Sequence, residues 1–482
     1  MKLRDYQTKA VDDCRKAFRD KNGRVLLVAP TGAGKTVMFA HMAQEAHRKG
    51  NRVVICAHRE ELVEQISNTL TKFDVTHGFV ASARKSNATE AVIIASVQTL
   101  VNRLDKVNPN LIILDEAHHA VAGSWRKIIE AYPKAKLLGV TATPQRLDGS
   151  GLGDIFEEMV LGPQIKELQE LGFLSTVKYF CPHTVDPDQL AKRHGDYVTE
   201  DAAELMMPTG NIGKVTGKAI EEYAKRADGQ RAVVFCVNIL HAQRVAAQFC
   251  EAGYRWAFLD STLTKETRKQ IVTDFKSGLL HGVSSCDIIS EGFDLPEASV
   301  AILLRPTKSL GLFMQQVGRV LRTAHGKTHA IVIDHVSNVG KNFQGQWVEN
   351  HGFIEDERFW SLDGKPRTKE SIIPCKRCPE CYALNPISAI ICTECGHEFE
   401  IKEAAPAEPE GGVIAEVDVV KIVSARTIED WIERAKYHEL LAWARTEEDL
   451  KKVAGIKGYK TGWAHVIMTE RANKKAHKRQ YA

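Results

Sequence analysis

Short runs of uninterrupted apolar residues recur along the first third of the chain: Val25–Ala29, Val53–Ala57, Ala91–Ala95, Leu111–Leu114 and Leu137–Val140. Between some of them, Val37–Arg48 and Glu60–Phe73 carry apolar residues at helical spacing. A strand that is apolar on both sides needs cover on both. Such runs alternating with helices therefore predict an α/β fold, a parallel sheet between helical layers. The pattern returns at Ala232–Val237, Trp256–Leu259, Val283–Cys286, Val300–Leu304 and Ala330–Ile333, so two such domains are expected in tandem, at 1–160 and 229–340. Residues 161–228 are mixed and polar, with a loop near Pro182–Pro187, and read as a connecting segment. A second connector is expected at 341–372, a cysteine-rich module at 373–403, and a linker at 404–412 (AAPAEPEGG). Residues 413–482 read as a helical, basic C-terminal domain. There Ile428, Trp431, Ile432 and Ala435 follow Thr427 and Asp430, a weaker form of the capping box.

Composition narrows the class. The chain has 482 residues, 44% hydrophobic and 26% charged, which excludes disordered and fibrous classes and suits about three domains. No apolar run approaches the ~18 residues of a membrane span. MKLRDYQTKAVDD has no apolar h-region, so a signal peptide is not expected and a cytoplasmic location is. The net charge of +4 is unevenly spread: residues 451–482 carry nine Lys/Arg against Glu470, leaving 56 bases against 60 acids before them. Five of the 11 cysteines fall between Cys375 and Cys395, which points to a metal site in a reducing compartment rather than a disulfide framework.

Several segments carry chemistry. APTGAGKT (29–36) follows a strand and precedes a helix, the context of a phosphate-cradling loop. Thr31, Gly32, Ala33 and Gly34 would bring backbone N–H groups to a triphosphate, Lys35 would reach its β/γ-phosphates, and Thr36 would ligate Mg²⁺. LIILDEAHHA (111–120) ends a strand in Asp115 and Glu116, one carboxylate for the metal shell and one for the attacking water. QQVGRVLR (315–322) sets Arg319 and Arg322 three apart on one helical face, suited to stabilising charge on a transferring phosphoryl group. Cys378-x₂-Cys381 and Cys392-x₂-Cys395 form two knuckles whose four thiolates would close a structural Zn²⁺ site; Cys375 is left out. In the last segment, Tyr459, Trp463 and Tyr481 interleave with bases, a composition suited to stacking and phosphate contact.

The ordered set LRDYQ, APTGAGKT, ICAHREELVEQ, ASVQTL, DEAHHA, VTATPQRLDG, VVFCVN, SEGFDLP and QQVGRVLR resembles the motif series of superfamily 2 helicases over residues 3–322. VTATPQRLDGSGLGDIF and the later cysteine segment most resemble RadD-like DNA-repair helicases and their phage relatives, DEAD/DEAH-box proteins with a C-terminal zinc ribbon. The wider branch includes XPB-like and type I/III restriction motors. The resemblance implies two RecA-like domains that bind and hydrolyse ATP between them and move along DNA. It further implies that Gln7 reads adenine with Arg4 nearby, and that His118, Thr141 and Thr143 couple nucleotide state to domain closure. Gly292, Asp294 and Gln315 would complete the ATP site beside Arg319 and Arg322. His58, Arg59, Ser96, Gln98, Thr99, Asn238 and Ser290 would face nucleic acid. Two departures are small: Ala29 replaces the first glycine of the phosphate loop, and Thr141-Ala142-Thr143 stands where many relatives have Ser-Ala-Thr.

The sequence thus predicts an ATP-dependent DNA helicase or translocase of repair, recombination or replication, a monomer by default. Single-strand-binding or recombination proteins are candidate partners. The motor of a nuclease or restriction system, an RNA helicase and a scaffold with a vestigial ATPase are the alternatives. No paired-carboxylate-plus-lysine nuclease motif is evident.

Overall fold

The computed structural model describes residues 2–20, 23–82, 84, 87–146, 149–182, 187, 190–193, 195–207, 214–286, 295–343, 346–364 and 375–399 of the first compact unit. In the second unit it describes 432, 440, 444, 446–460 and 462–469.

The first sheet has seven parallel strands: β1 (Arg24–Val28), β2 (Val53–Ala57), β3 (Gly78–Val80), β4 (Val92–Ser96), β5 (Leu111–Asp115), β6 (Lys136–Thr141) and β7 (Glu158–Leu161), in the order β3-β4-β2-β5-β6-β1-β7. Helices α1 (Asp5–Arg19), α2 (Lys35–Arg48), α3 (Glu60–Lys72), α4 (Val97–Leu100) and α5 (Gly123–Ala131) belong to this domain. The apolar runs have a direct cause. In β5, Leu111 and Ile113 enter one apolar core, while Ile112 and Leu114 enter another across the sheet. Every position is therefore buried, and alternation disappears.

After α6 (Ile165–Glu170), the second sheet begins inside the segment expected to be only a connector. Thr176–Phe180 is strand β8, parallel to a later strand at the sheet edge. Its sequence, TVKYF, is half exposed, as an edge strand is, and lacks the continuous apolar signature. A short hairpin follows, β9 (Lys192–Arg193) and β10 (Asp196–Tyr197), then α7 (Thr199–Met206) and α8 (Lys214–Ala227). The remaining elements are β11 (Ala232–Phe235), α9 (Ile239–Glu251), β12 (Trp256–Leu259), α10 (Lys265–Ser277), β13 (Gly282–Ser285), β14 (Val300–Leu303), α11 (Leu310–Gly318) and β15 (His329–Asp334). The sheet order is β12-β13-β11-β14-β15-β8, all parallel. The two RecA-like α/β domains expected from the sequence are both present.

The residues after β15 bind the two domains together. A hairpin, β16 (Gly340–Phe343) with β17 (Gln346–Glu349), precedes a stretch that returns to both. Tyr179 Oη donates to Glu355 Oε2 (2.6 Å) and accepts from Ile354 N–H (3.0 Å). Arg358 and Leu362 offer carbonyls to Gln164 Nε2 (3.3 Å) and Gly153 N–H (2.9 Å).

In the second unit, helix Glu447–Lys457 starts at a capping box of Thr446 and Asp449. Its small core includes Ile432, Leu450, Val453 and Ile467. Tyr459 and Trp463 pack against that core, with their rings 4.7 Å apart. Their apolar faces are thus partly spent on the fold. The linker 404–412, the expected cap at Thr427 and Asp430, and Tyr481 lie outside the described residues.

Candidate functional site

The phosphate loop leaves the carboxyl end of β1, and its geometry requires its glycines. Gly32 (φ 90°) and Gly34 (φ 81°) are left-handed, a region L side chains avoid. A Cβ on Gly34 would lie 2.4 Å from Gln7 Nε2, and one on Gly32 2.6 Å from Leu174 Cδ2. Gly34 caps the N-terminus of α2, where free backbone N–H groups and the helix dipole favour an anion. Ala29 causes no disruption: it is fully buried, and its N–H donates to Thr141 O (3.0 Å).

Sheet order brings the other groups to the same place. β6 lies between β1 and β5, so Thr141 and Asp115 end on the edge where the loop begins. A cavity of about 310 Å³ is lined there by Thr31, Lys35, Thr36, Asp115 and Glu116 from the first domain, with Arg319 and Arg322 facing them from the second. Burial pushes the Lys35 ammonium below its ordinary range. Glu116 and Asp115 oppose that shift, and the two arginines add to it. Burial brings Arg322 down to about 10, so it stays charged at neutral pH. Three cations crowd two carboxylates, and a polyphosphate would relieve that crowding. Glu116 has φ 53°, an uncommon conformation for a non-glycine residue. Its Oε2 is 3.4 Å from His118 Nδ1, which is itself 3.2 Å from Thr141 Oγ1. Thr141 Oγ1 in turn donates to Thr143 O and accepts from Thr143 N–H.

At the outer end of the cavity, the Arg4 guanidinium lies 4.0 Å over the Phe173 ring. Phe173 was not singled out from the sequence, because it sits in the mixed segment with only Gly172 as a local marker. Gln7 is buried, with both ends of its amide engaged: Oε1 accepts from Arg4 N–H and Nε2 donates to Ala33 O, each at 3.0 Å. Gln7 thus ties α1 to the phosphate loop. Gln315 is also buried, one turn before Arg319 and outside the cavity lining. Gly292 and Asp294 lie outside the described residues.

Four of the five expected nucleic-acid residues of the first domain form one hydrogen-bonded group at the carboxyl ends of β2 and β4. Ser96 Oγ donates to Gln98 Oε1 (2.9 Å), Gln98 Nε2 to His58 O (3.0 Å), and Arg59 Nε to His58 Nε2 (3.3 Å). Ser96 is buried, Gln98 exposed, and Thr99 half-buried beside it. Asn238 spends its carbonyl capping α9, accepting from His241 N–H (2.8 Å). Ser290 lies outside the described residues.

The cysteine segment folds around a hairpin, β18 (Cys375–Arg377) with β19 (Leu384–Pro386). Each knuckle closes in the same way: Tyr382 N–H donates to Cys378 O and Gly396 N–H to Cys392 O, both at 3.0 Å. Tyr382 and Gly396 both take positive φ. The thiolate sulfurs of Cys378, Cys381, Cys392 and Cys395 lie within 4.8 Å of one another, with 3.6 Å between Cys378 and Cys395 and 3.5 Å between Cys381 and Cys392. Zn–S bonds of about 2.3 Å in a tetrahedron place sulfurs about 3.8 Å apart, so the set is compatible with zinc. Burial raises Cys392, but amide donors at Glu394 and Cys395, together with the Cys381 and Asn385 side chains, outweigh it and leave the thiol at about 6. The module docks on β8. Cys181 N–H donates to Tyr382 O (3.0 Å), Arg226 to Cys381 O (2.9 Å), and Lys178 pairs with Glu394 (2.8 Å).

Comparison with known proteins agrees with this geometry. The family described as "Type III restriction enzyme, res subunit" matches residues 1–146, and "Helicase conserved C-terminal domain" matches 216–324. A 51.5 kDa protein of a Lactococcus phage is 34% identical over 78% of this chain and 79% of its own length. IRC3 of Saccharomyces cerevisiae is 32% identical over 70% of this chain, which spans 52% of that longer protein. The structure of the ATP-dependent Type ISP restriction-modification enzyme LlaBIII bound to DNA shares the fold (TM-score 0.53, 19% identity, 69% of this chain and 28% of that one). Among the described residues, no helix is long and apolar enough to cross a membrane. The chain belongs to the superfamily 2 helicase/translocase family, and ATP with Mg²⁺ is the cofactor pair that membership implies.

Proposed function

We propose that the chain is an ATP-driven DNA helicase or translocase of RadD-like type, acting in repair, recombination or replication. One observation carries this: Lys35, Asp115 and Glu116 of one domain and Arg319 and Arg322 of the other line a single cavity. Thr36 and Asp115 would hold Mg²⁺, which would neutralise part of the phosphate charge. Lys35 and the loop amides bind the phosphates, and Glu116 orients the attacking water. The arginines stabilise charge on the transferring group and do so only while the domains are closed. Hydrolysis transfers the γ-phosphoryl group to water, release of that phosphate breaks the link between the two sides, and the first domain's His58–Gln98 group then shifts along the strand relative to the second. Contacts of this kind go mainly to phosphates, so binding is salt-dependent and largely indifferent to sequence.

ATP turnover measured with single-stranded, duplex and branched DNA and with RNA tests the reading, together with Lys35→Ala and Glu116→Gln. DNA should stimulate most, and both variants should lose turnover while still binding DNA. Wild-type turnover in both would sink the assignment, and stimulation by RNA alone would make the chain an RNA helicase. A restriction-system motor is the second reading, favoured by the family matched at 1–146 and the fold shared with a DNA-bound restriction enzyme. Plasmid cleavage by the chain with divalent metal, or with a partner subunit, would select it.

A further inference from the structure

Arg322 lies past the end of α11, four residues beyond Gly318. On one side, Leu174 pairs with Arg322 in a β-bridge, and Ser175 N–H donates to Leu321 O (2.7 Å). On the other stands Lys327. A turn closed by Lys327 N–H to Ala324 O, with Gly326 at φ 77°, sends its side chain back toward the arginines. Lys327 Nζ donates to Val320 O (2.6 Å), Arg322 O (2.7 Å) and Ala298 O (2.7 Å). An ammonium has three N–H donors, and each meets a carbonyl. Two of these carbonyls belong to the turn that carries the arginines, and the third belongs to buried Ala298 in the loop before β14.

We propose that Lys327 is a positioning residue for ATP hydrolysis, locking the Arg319–Arg322 turn to the second sheet so that Arg322 is already set to meet the phosphates when the domains close. This rests on the arginine reading above. Burial, with Arg322 adding to it and Glu297 opposing it, brings Lys327 down to about 8. The ammonium is thus held in place at a cost, whereas a solvated lysine would bear none.

The test is a double-mutant cycle on the full chain with Lys327→Met, Arg322→Ala and the pair, reading kcat and KM for ATP under the most stimulating polynucleotide. Lys327→Met should lower kcat by at least about tenfold with KM changed by less than about twofold. In the Arg322→Ala background it should lower kcat no further, because it acts through Arg322. Independent, multiplying losses would mean a merely structural lysine and overturn the proposal, as would wild-type kcat in Lys327→Met while Arg322→Ala is slow. Wild-type kcat in Arg322→Ala would instead overturn the arginine reading itself. If the Met variant does not fold, Lys327→Arg serves: its planar fork keeps the charge but spreads its donors in one plane, so it does not reproduce one nitrogen meeting three converging carbonyls, and the same non-additivity is required.

Discussion

Gly318, the last residue of α11, sits directly against Thr31 of the phosphate loop. A β-carbon on Gly318 would stand 2.9 Å from Thr31 Cβ, 3.2 Å from its Oγ1 and 3.3 Å from its Cγ2. Seven residues earlier, a Cβ on Gly311 would stand 3.1 Å from Thr143 Oγ1. Two turns of one helix face therefore approach the phosphate loop and the Thr141–Thr143 segment closely at these two glycines. That close approach lets Arg319, the next residue, reach the cavity from another domain.

Gly318→Ala should therefore hold the domains apart. Overpacking of this kind costs about 1–3 kcal/mol, which falls on closure and would lower ATP turnover roughly 5- to 150-fold. Nucleic-acid binding should survive, since neither position belongs to the His58–Gln98 group. Gly311→Ala meets a hydroxyl that can rotate away and should cost less. Equal, wild-type turnover in both variants would show that the helix need not seat this closely.

Much of this arrangement was legible in the sequence, for identifiable reasons. Central strands such as β2 and β5 are buried on both faces, so their residues have no polar alternative. The phosphate loop and the Asp115–Glu116 pair lie on contiguous residues whose chemistry is local. What escaped notice is held by edges and long-range contacts. β8 is a half-exposed edge strand that reads as connector, and Phe173 meets Arg4 only through the tertiary fold. Lys327 resembles any loop lysine until its three carbonyls are in view. Tyr459 and Trp463 read as stacking platforms, and the sequence does not show that one side of each half-buried ring packs on a small core.

The second domain should lose stability in mild acid. His241, His335 and His351 are buried neutral; burial, with nearby cations adding to it, brings them to about 4, 3 and 4. Each has a folded pKa below the ~6.5 of an unfolded histidine, so the unfolded chain takes up protons first as pH falls. Stability is fully present above pH 6.5 and is lost progressively toward pH 3–4. At pH 5 the loss is on the order of 2 kcal/mol per histidine. Asp334 runs the other way: burial raises it to about 6, and its protonation below that pH returns roughly 1 kcal/mol. Urea unfolding at pH 7 and pH 5 should differ by several kcal/mol. A pH-independent midpoint would mean that these histidines are hydrated.

Metal removal should act on the second domain through β8. Cys378, Cys381 and Cys392 are buried in the same apolar cluster as β11 and β14, and the module covers the exposed edge of β8. Elemental analysis should find about one zinc per chain. Chelation, or Cys392→Ser, should lower the melting temperature by several degrees and promote association through the uncovered strand edge. A metal-free preparation with the same melting temperature and no tendency to associate would refute a structural role.

The basic end of the chain can be tested separately from its fold, provided the cut respects the second unit's core. Removing 451–482 would take away Val453, Ala464 and Ile467 and unfold that unit. Removing 471–482 takes Arg471, Lys474, Lys475, Lys478 and Arg479, five bases and no acid, and leaves those core residues in place. If these bases grip a phosphate backbone, each contact contributes about 0.7–0.9 to the slope of log affinity against log salt. The shortened chain should then bind DNA more weakly at low salt, with a slope reduced by up to roughly four. ATP turnover at saturating DNA should be unchanged, because the arginines and phosphate loop remain. An unaltered salt slope would mean that the end of the chain is solvated and grips nothing.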